Sequence, residues 1–229
     1  MIERKFVAQK FKEFQIQEYI TQNLENVGHS HTKMIKTPLG EKIIIYASRP
    51  GLIVGRKGQN IKQLTKTLKK RFQLENPQIE ISEVENPNLD ANIVAEKIVD
   101  ALEKFGSEKF KAIGHRIMTD VMKAGALGIE IVISGKVPSA RAKSWRFYSG
   151  YLKKCGDIAD YVRKANKQAQ LKTGILGVKV SIMQPNLNLP DDIQIIEKAE
   201  TKIEQQKEDT KEEPKKEEQK KRGKKKNEI

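Results

Sequence analysis

Apolar residues return along this chain with two different periods, and the switches between them outline its elements. From Arg4 to Leu24, Phe6, Phe11, Phe14, Ile16, Tyr19, Ile20 and Leu24 recur at roughly helical spacing among Lys, Gln and Glu, which predicts a helix stopped by Gly28. Thr32–Thr37 and Glu41–Ser48 then read as strands about a Pro38-Leu39-Gly40 turn, and the β-branched run Ile43-Ile44-Ile45-Tyr46 suits a buried central strand. Pro50-Gly51 breaks the pattern, and Leu52-Ile53-Val54 makes a short helical turn. From Gln59 to Phe72, Ile61, Leu64, Leu68 and Phe72 fall at i, i+3, i+7 and i+11, one stripe of a helix, with Lys62, Lys66, Lys69, Lys70 and Arg71 on the other faces. Gln78–Val84 predicts an edge strand.

Asn86-Pro87-Asn88-Leu89 reads as a linker, after which the periods start again. Ile93, Ala95, Ile98, Val99 and Leu102 predict one amphipathic helix, and Phe110, Ile113, Ile117, Val121 and Met122 a second that ends near Gly125. Four strand-like runs follow, at Gly128–Ser134, Ser144–Leu152, about Ile158–Leu171 and Gly177–Gln184; within the third, Tyr161–Asn166 also fits a helix. Two helices followed by four strands predict an α+β layer, with the helices on one face of an antiparallel sheet. Beyond Lys198 Lys and Glu dominate with hardly an apolar residue, so this tail cannot bury enough surface to fold alone and is expected to be disordered.

Between two of the helical segments lies Val54-Gly55-Arg56-Lys57-Gly58-Gln59-Asn60-Ile61. Gly55 and Gly58 lack a Cβ, so another backbone can come close. Gly58 also opens a helix whose first amides point outward at the positive end of its dipole, and Arg56 and Lys57 add two full charges there. These are the parts of a socket for a nucleic-acid backbone, the device by which a KH domain clamps nucleotides. The order helix, strand, strand, helix-turn-helix, strand, with this loop in the helix-turn-helix, is the type II KH arrangement. Two other Gly-x-x-Gly stretches, Gly125–Gly128 and Gly174–Gly177, carry apolar residues between the glycines and lead into strands; both read as plain turns.

Charge supports a polyanionic partner. Lys+Arg 44 against Asp+Glu 30 gives a net +14 and a pI near 9.6. Residues 198–229 hold 12 basic and 9 acidic residues, so +11 of the total belongs to the 197 residues before them. The single Cys155 excludes an internal disulfide framework and a multi-cysteine zinc site, and reads as a small packing residue. The first residues lack the apolar stretch of a signal peptide, and no window approaches the roughly 18 apolar residues of a membrane span. The expectation is a soluble, intracellular protein.

A second basic constellation comprises Lys136, Arg141, Lys143, Arg146, Lys153 and Lys154, in a stretch, 131–156, without one acidic residue. Trp145, Phe147, Tyr148 and Tyr151 interleave with it. Trp145 and Phe147, same-face neighbours on a strand, read as core. The basic residues read as an RNA surface, because a merely solvated face would mix both signs. Catalysis finds no constellation: His29, His31 and His115 read as surface residues without metal ligands at suitable spacing, and neither a P-loop nor a Gly-x-Ser-x-Gly elbow occurs.

Several stretches together resemble the family of small ribosomal subunit protein three, in its archaeal and eukaryotic form, over roughly residues 1–197. They are Arg49–Ile61, Gly125–Lys136, Arg141–Ser144 and Gly174–Met183, with Leu189-Pro190-Asp191 similar to the family's C-terminal end. The resemblance implies a non-catalytic protein without cofactor in the small-subunit head, cytoplasmic and ribosomal, at the channel through which mRNA enters. It implies small-subunit rRNA, mRNA and neighbouring head proteins as partners, with no membrane and no homo-oligomer. The loop's own chemistry places the expected RNA contacts at Gly55, Arg56, Lys57, Gly58 and Lys62. In the bacterial branch a basic cluster before the Gly-Ala-x-Gly turn lines that channel; the matching positions are Lys111, Ala112 and His115, with Arg116 adjacent, and only Lys111 keeps the charge. The expected organisation is a type II KH domain over 1–85, a linker over 86–92, an α+β domain over 93–190 and a charged tail over 191–229. The rival readings are a free KH regulator acting on mRNA and a nucleic-acid-processing enzyme such as a lyase acting on damaged DNA.

Overall fold

The structure, a computed structural model, describes residues 2–190 apart from 25, 39, 75, 139–141 and 188, together with Ile193; the tail expected over 191–229 otherwise lies outside the described residues. The first helix, α1 (Ile2–Asn23), is followed by β1 (His29–Thr37) and β2 (Gly40–Ala47), an antiparallel hairpin in which Met34 faces Ile43. α2 (Pro50–Val54) and α3 (Gln59–Phe72) then cross over to β3 (Gln78–Glu83), which runs parallel to β2 with Ile43 opposite Ile79 and Ile45 opposite Ile81. A parallel pair needs such a crossover, and here the crossover is what carries the Gly55–Gly58 loop. Pro50 does not merely break the strand: it occupies the first turn of α2, where its missing N–H costs nothing.

Ile16 and Ile20 of α1 and Leu68 of α3 close over Ile43, Ile45 and Ala47, and all are essentially inaccessible to solvent. In the α3 stripe Leu68 packs into this core and Leu64 and Phe72 pack partly against it, while Ile61 at its start is half-buried. In α1 the face that carries Ile16 and Ile20 packs there; Phe6, Phe11 and Phe14 remain 58–63 % exposed, and at about 100° per residue Phe11 and Phe14 fall on the side of the helix away from Ile16.

α4 (Ala91–Phe105) starts inside the stretch expected to be linker, because Asp90 caps it, accepting the Asn92 backbone N–H at 3.1 Å. α5 (Phe110–Lys123) leads to β4 (Gly128–Gly135), β5 (Lys143–Gly150), β6 (Arg163–Leu171) and β7 (Gly174–Met183), a fully antiparallel sheet in the order β5-β4-β7-β6. Ile129, Ile131 and Ile133 lie opposite Ile182, Val180 and Val178 and point with them at α4 and α5. Gly114 lets α5 approach the sheet: a Cβ there would stand 2.9 Å from the Phe147 ring.

Two strand assignments are corrected. Ile158–Tyr161 forms a helical turn, α6, before β6 begins; Ile158, Ala159 and Val162 are buried at i, i+1 and i+4, which suits a helix and not an alternating strand. Gly174–Gly177 is no turn but the start of β7, since Lys172-Thr173 alone closes the hairpin with Leu171 opposite Gly174.

Both sheets belong to one compact unit over residues 1–187. A polar seam joins them. The Ser30 hydroxyl and the Arg163 guanidinium (3.2 Å) donate to the buried Asp90 carboxylate, Asn92 donates to the Ser30 carbonyl (2.6 Å), and the Gly28 N–H donates to Glu96 (3.2 Å). Buried polar groups that keep partners in this way fix an orientation without leaving uncompensated charge.

Candidate nucleic-acid interface

Between α2 and α3 the backbone turns through three left-handed residues, Gly55 (φ 68°), Lys57 (φ 55°) and Gly58 (φ 71°). The two glycines have different tasks. A Cβ on Gly55 would sit 2.6 Å from the Asn60 side chain, whose amide donates to the Leu52 carbonyl (3.3 Å) and ties the loop to α2. A Cβ on Gly58 would meet nothing within 4 Å, so that side of the loop is open. Gly58 and Gln59 turn their N–H groups back onto Gly55 and Arg56, and no side chain caps α3. The remaining first-turn amides have no acceptor within their own helix. Arg56, Lys57 and Lys62 are exposed, and among the described residues none of them forms an ion pair.

The second basic constellation is not one surface. Lys143 shares the helix-covered side of β5 with Trp145, and its ammonium lies 4.8 Å from the indole centroid; Lys111, from α5, lies 4.7 Å from the same ring. Trp145 and Phe147 pack into the core cluster as expected. Lys111 thus joins Lys143, while His115 stands edge-on to Phe147 (5.2 Å, 82°) and Arg116 is exposed beside it.

Arg146 points to the opposite, open face, where it and Lys154 both pair with Glu130, Lys154 at 2.8 Å. Glu130 is only 8 % exposed. Burial favours its neutral form, but the Lys154 hydrogen bond and the charges of Lys154 and Arg146 outweigh that and hold its carboxyl below the ordinary range. The acid-free stretch therefore has its counter-charge one strand away. Lys136 is exposed past the end of β4, Lys153 is half-buried and engaged with a partner, and Arg141 lies outside the described residues.

Two further lysines belong to the open face and were missed. Val132 lies opposite Arg146 on one side and Lys179 on the other, and Ser181 opposite Lys164; both lysines are exposed. Strand parity was the available signal, since Lys179 stands between the buried Val178 and Val180.

Two residue readings change. Cys155 is exposed in the bend after β5 rather than packed. His29 is buried, its Nε2 2.9 Å from the Thr32 hydroxyl, at an irregularity in β1 that draws it inward. Burial, helped by the charges of Lys167 and His31 and opposed by Asp90, lowers its pKa to about 4. Among the described residues no group of His, Cys, Asp or Glu is placed to hold a metal, and no helix is long and apolar enough to cross a membrane.

A turn of glycines, helix amides and exposed cations on a βααβ crossover defines a KH-type RNA-binding protein, and residues 15–89 match the KH domain family. Residues 98–182 match a second family, the ribosomal protein S3 C-terminal domain. The small ribosomal subunit protein uS3 of Methanocaldococcus jannaschii is 46 % identical over 203 residues, covering 88 % of this chain and 97 % of that protein. Those of Methanococcus maripaludis strain C5 and Methanococcus vannielii are 43 % and 44 % identical over 197 residues, each covering 86 % of this chain and 92 % of theirs. The chain belongs to the uS3 family of ribosomal proteins, whose members are structural and not enzymes.

Proposed function

We propose that this chain is a structural constituent of the small ribosomal subunit head in the cytoplasm, where it binds rRNA and contributes to the channel through which mRNA enters. Gly55, Arg56, Lys57, Gly58 and Lys62 take the phosphates of one RNA segment. Lys136, Arg141, Lys143, Arg146, Lys153 and Lys154 form a second, C-terminal RNA surface, in which Lys143 works beside Lys111 while Arg146 and Lys154 are partly neutralised by Glu130. Lys111, His115 and Arg116, all exposed on α5, face mRNA. The uneven charge along that helix face makes mRNA contact, rather than strand opening, its contribution. The organisation into a KH unit over 1–85, a joining segment over 86–92, an α+β unit over 93–190 and a charged tail fits this division of labour.

The observation that carries the reading is the open side of Gly58 beside cations that, among the described residues, form no ion pair: a ligand's backbone fits beside Gly58. Arg56→Asp together with Lys57→Asp should weaken binding to small-subunit rRNA fragments by about a hundredfold at low salt, since each reversed charge replaces an attraction by a repulsion. The thermal midpoint should stay within about 2 °C, because both side chains are exposed. Unfolding of the double variant would make the loop structural, and unchanged RNA affinity would remove it from the interface.

A further inference from the structure

In a chain of net charge +14, one indentation is acidic. It is a cleft of about 380 Å³ beside Asn26, between α4 and the outer edge of β6, lined by Glu96, Asp100, Glu103, Lys167, Gln168 and Gln170. Glu96 is its floor. That residue is 7 % exposed; its Oε1 accepts the Gly28 N–H, but its Oε2 makes no hydrogen bond, and Lys167 stands off at 3.8 Å. A carboxylate oxygen buried without a donor is a costly thing to keep unless something supplies one. The other two acids hold only light partners: Asn26, with its amide nitrogen turned inward, reaches Asp100 at 2.7 Å, and Glu103 accepts the Gln170 N–H at 3.0 Å.

Spacing decides what fits. Glu96, Asp100 and Glu103 follow one another at i, i+4 and i+7, so they form a row along α4 with steps of about 6 and 4.5 Å. A row is the wrong shape for a single ion, and among the described residues no group is placed to ligate one. In an extended peptide, alternate side chains on one face are about 6.7 Å apart, close to the longer step. β6 is the outermost strand of its sheet, and Gln170 already turns its N–H away from β7, so Gln168 presents its backbone groups to the cleft as well. Phosphates would be repelled.

We propose that this cleft receives an extended polypeptide segment with Arg or Lys at alternate positions, contributed by a neighbouring protein of the small subunit. Its backbone pairs with the β6 edge, and its cations take Glu96 Oε2, Asp100 and Glu103. That the segment comes from a subunit neighbour rests on the function proposed above; the cleft's own preference does not. Binding of rRNA fragments is therefore measured in parallel, and loss of RNA binding alone would overturn that function and leave this site standing.

The test uses the full-length chain and two fluorescein-labelled octapeptides, one with Arg and Ser alternating and one with the same four Arg in a block. Fluorescence anisotropy should show tighter binding of the alternating peptide, weakened about tenfold in Asp100→Asn/Glu103→Gln, which removes charge at two unburied positions and keeps the acceptors. Equal affinity for both peptides, or an unchanged affinity in the variant, would overturn the proposal. In assembled small subunits, a photo-crosslinking residue at Gln168 should trap a peptide carrying alternate basic residues; trapping of rRNA there would overturn it too.

Discussion

The Gly55–Gly58 loop and the open face of the C-terminal sheet are both basic, yet they hold their charge in opposite ways. At the loop, Arg56 and Lys57 are exposed and, among the described residues, pair with no acidic side chain, so their charge is available to a ligand. On the sheet, Arg146 and Lys154 converge on Glu130, and part of their charge is spent inside the molecule. The difference follows from geometry. A loop between two helices presents residues outward, whereas a strand shares its faces with neighbours distant in sequence. Counting basic residues along a chain therefore overestimates a sheet surface more than a loop.

The comparison breaks most sharply at the glycines. Gly55→Ala combines a left-handed φ with a clash against Asn60, and should cost about 2 kcal/mol of stability, read by denaturant unfolding. Gly58→Ala meets no neighbour and should cost only about 1 kcal/mol for its φ, while lowering RNA affinity about tenfold as the methyl holds the ligand backbone off. If the two variants lose stability and affinity in the same proportion, the loop has no separate ligand-facing side.

A smaller effect sharpens the sheet half. Glu130→Gln should raise affinity for rRNA fragments about threefold by releasing Arg146 and Lys154. It should also change the pH profile of stability. The folded carboxyl titrates below its ordinary value of 4.5, so its stabilisation is complete above that pH and is lost as pH falls through the lower folded value. That acid-side loss should be shallower in the variant. An identical acid limb would mean that the pairs with Arg146 and Lys154 contribute nothing to the fold.

The smallest effect concerns Trp145, the one tryptophan in the chain. With Lys111 and Lys143 against its ring, its fluorescence should change when RNA binds at these two lysines, and Lys143→Gln should weaken that response about twofold. A response that survives unaltered would place the RNA elsewhere.

What could be read from the sequence was what is local. The stripe Ile61, Leu64, Leu68, Phe72 and the glycine-bounded loop are fixed by neighbours within a few residues, and the α3 helix and the turn before it lie where that reading put them. Glu130 could not be found by scanning 131–156, because pairing with Arg146 and Lys154 depends on register across strands. His29 is buried at an irregularity in β1, which local periodicity does not show, whereas the exposure of Phe11 and Phe14 follows from their place on the side of α1 away from Ile16. The helical turn at Ile158–Tyr161 passed for strand because a four-residue element has too few positions to show a period.

The central claim, that the loop holds RNA through Arg56 and Lys57, is tested most directly by the salt dependence of binding. With Arg56→Gln and Lys57→Gln, the slope of log K against log salt for a single-stranded rRNA fragment should become shallower by about 1.4, two phosphate contacts' worth. A slope equal to that of the unaltered chain would show that neither cation touches a phosphate.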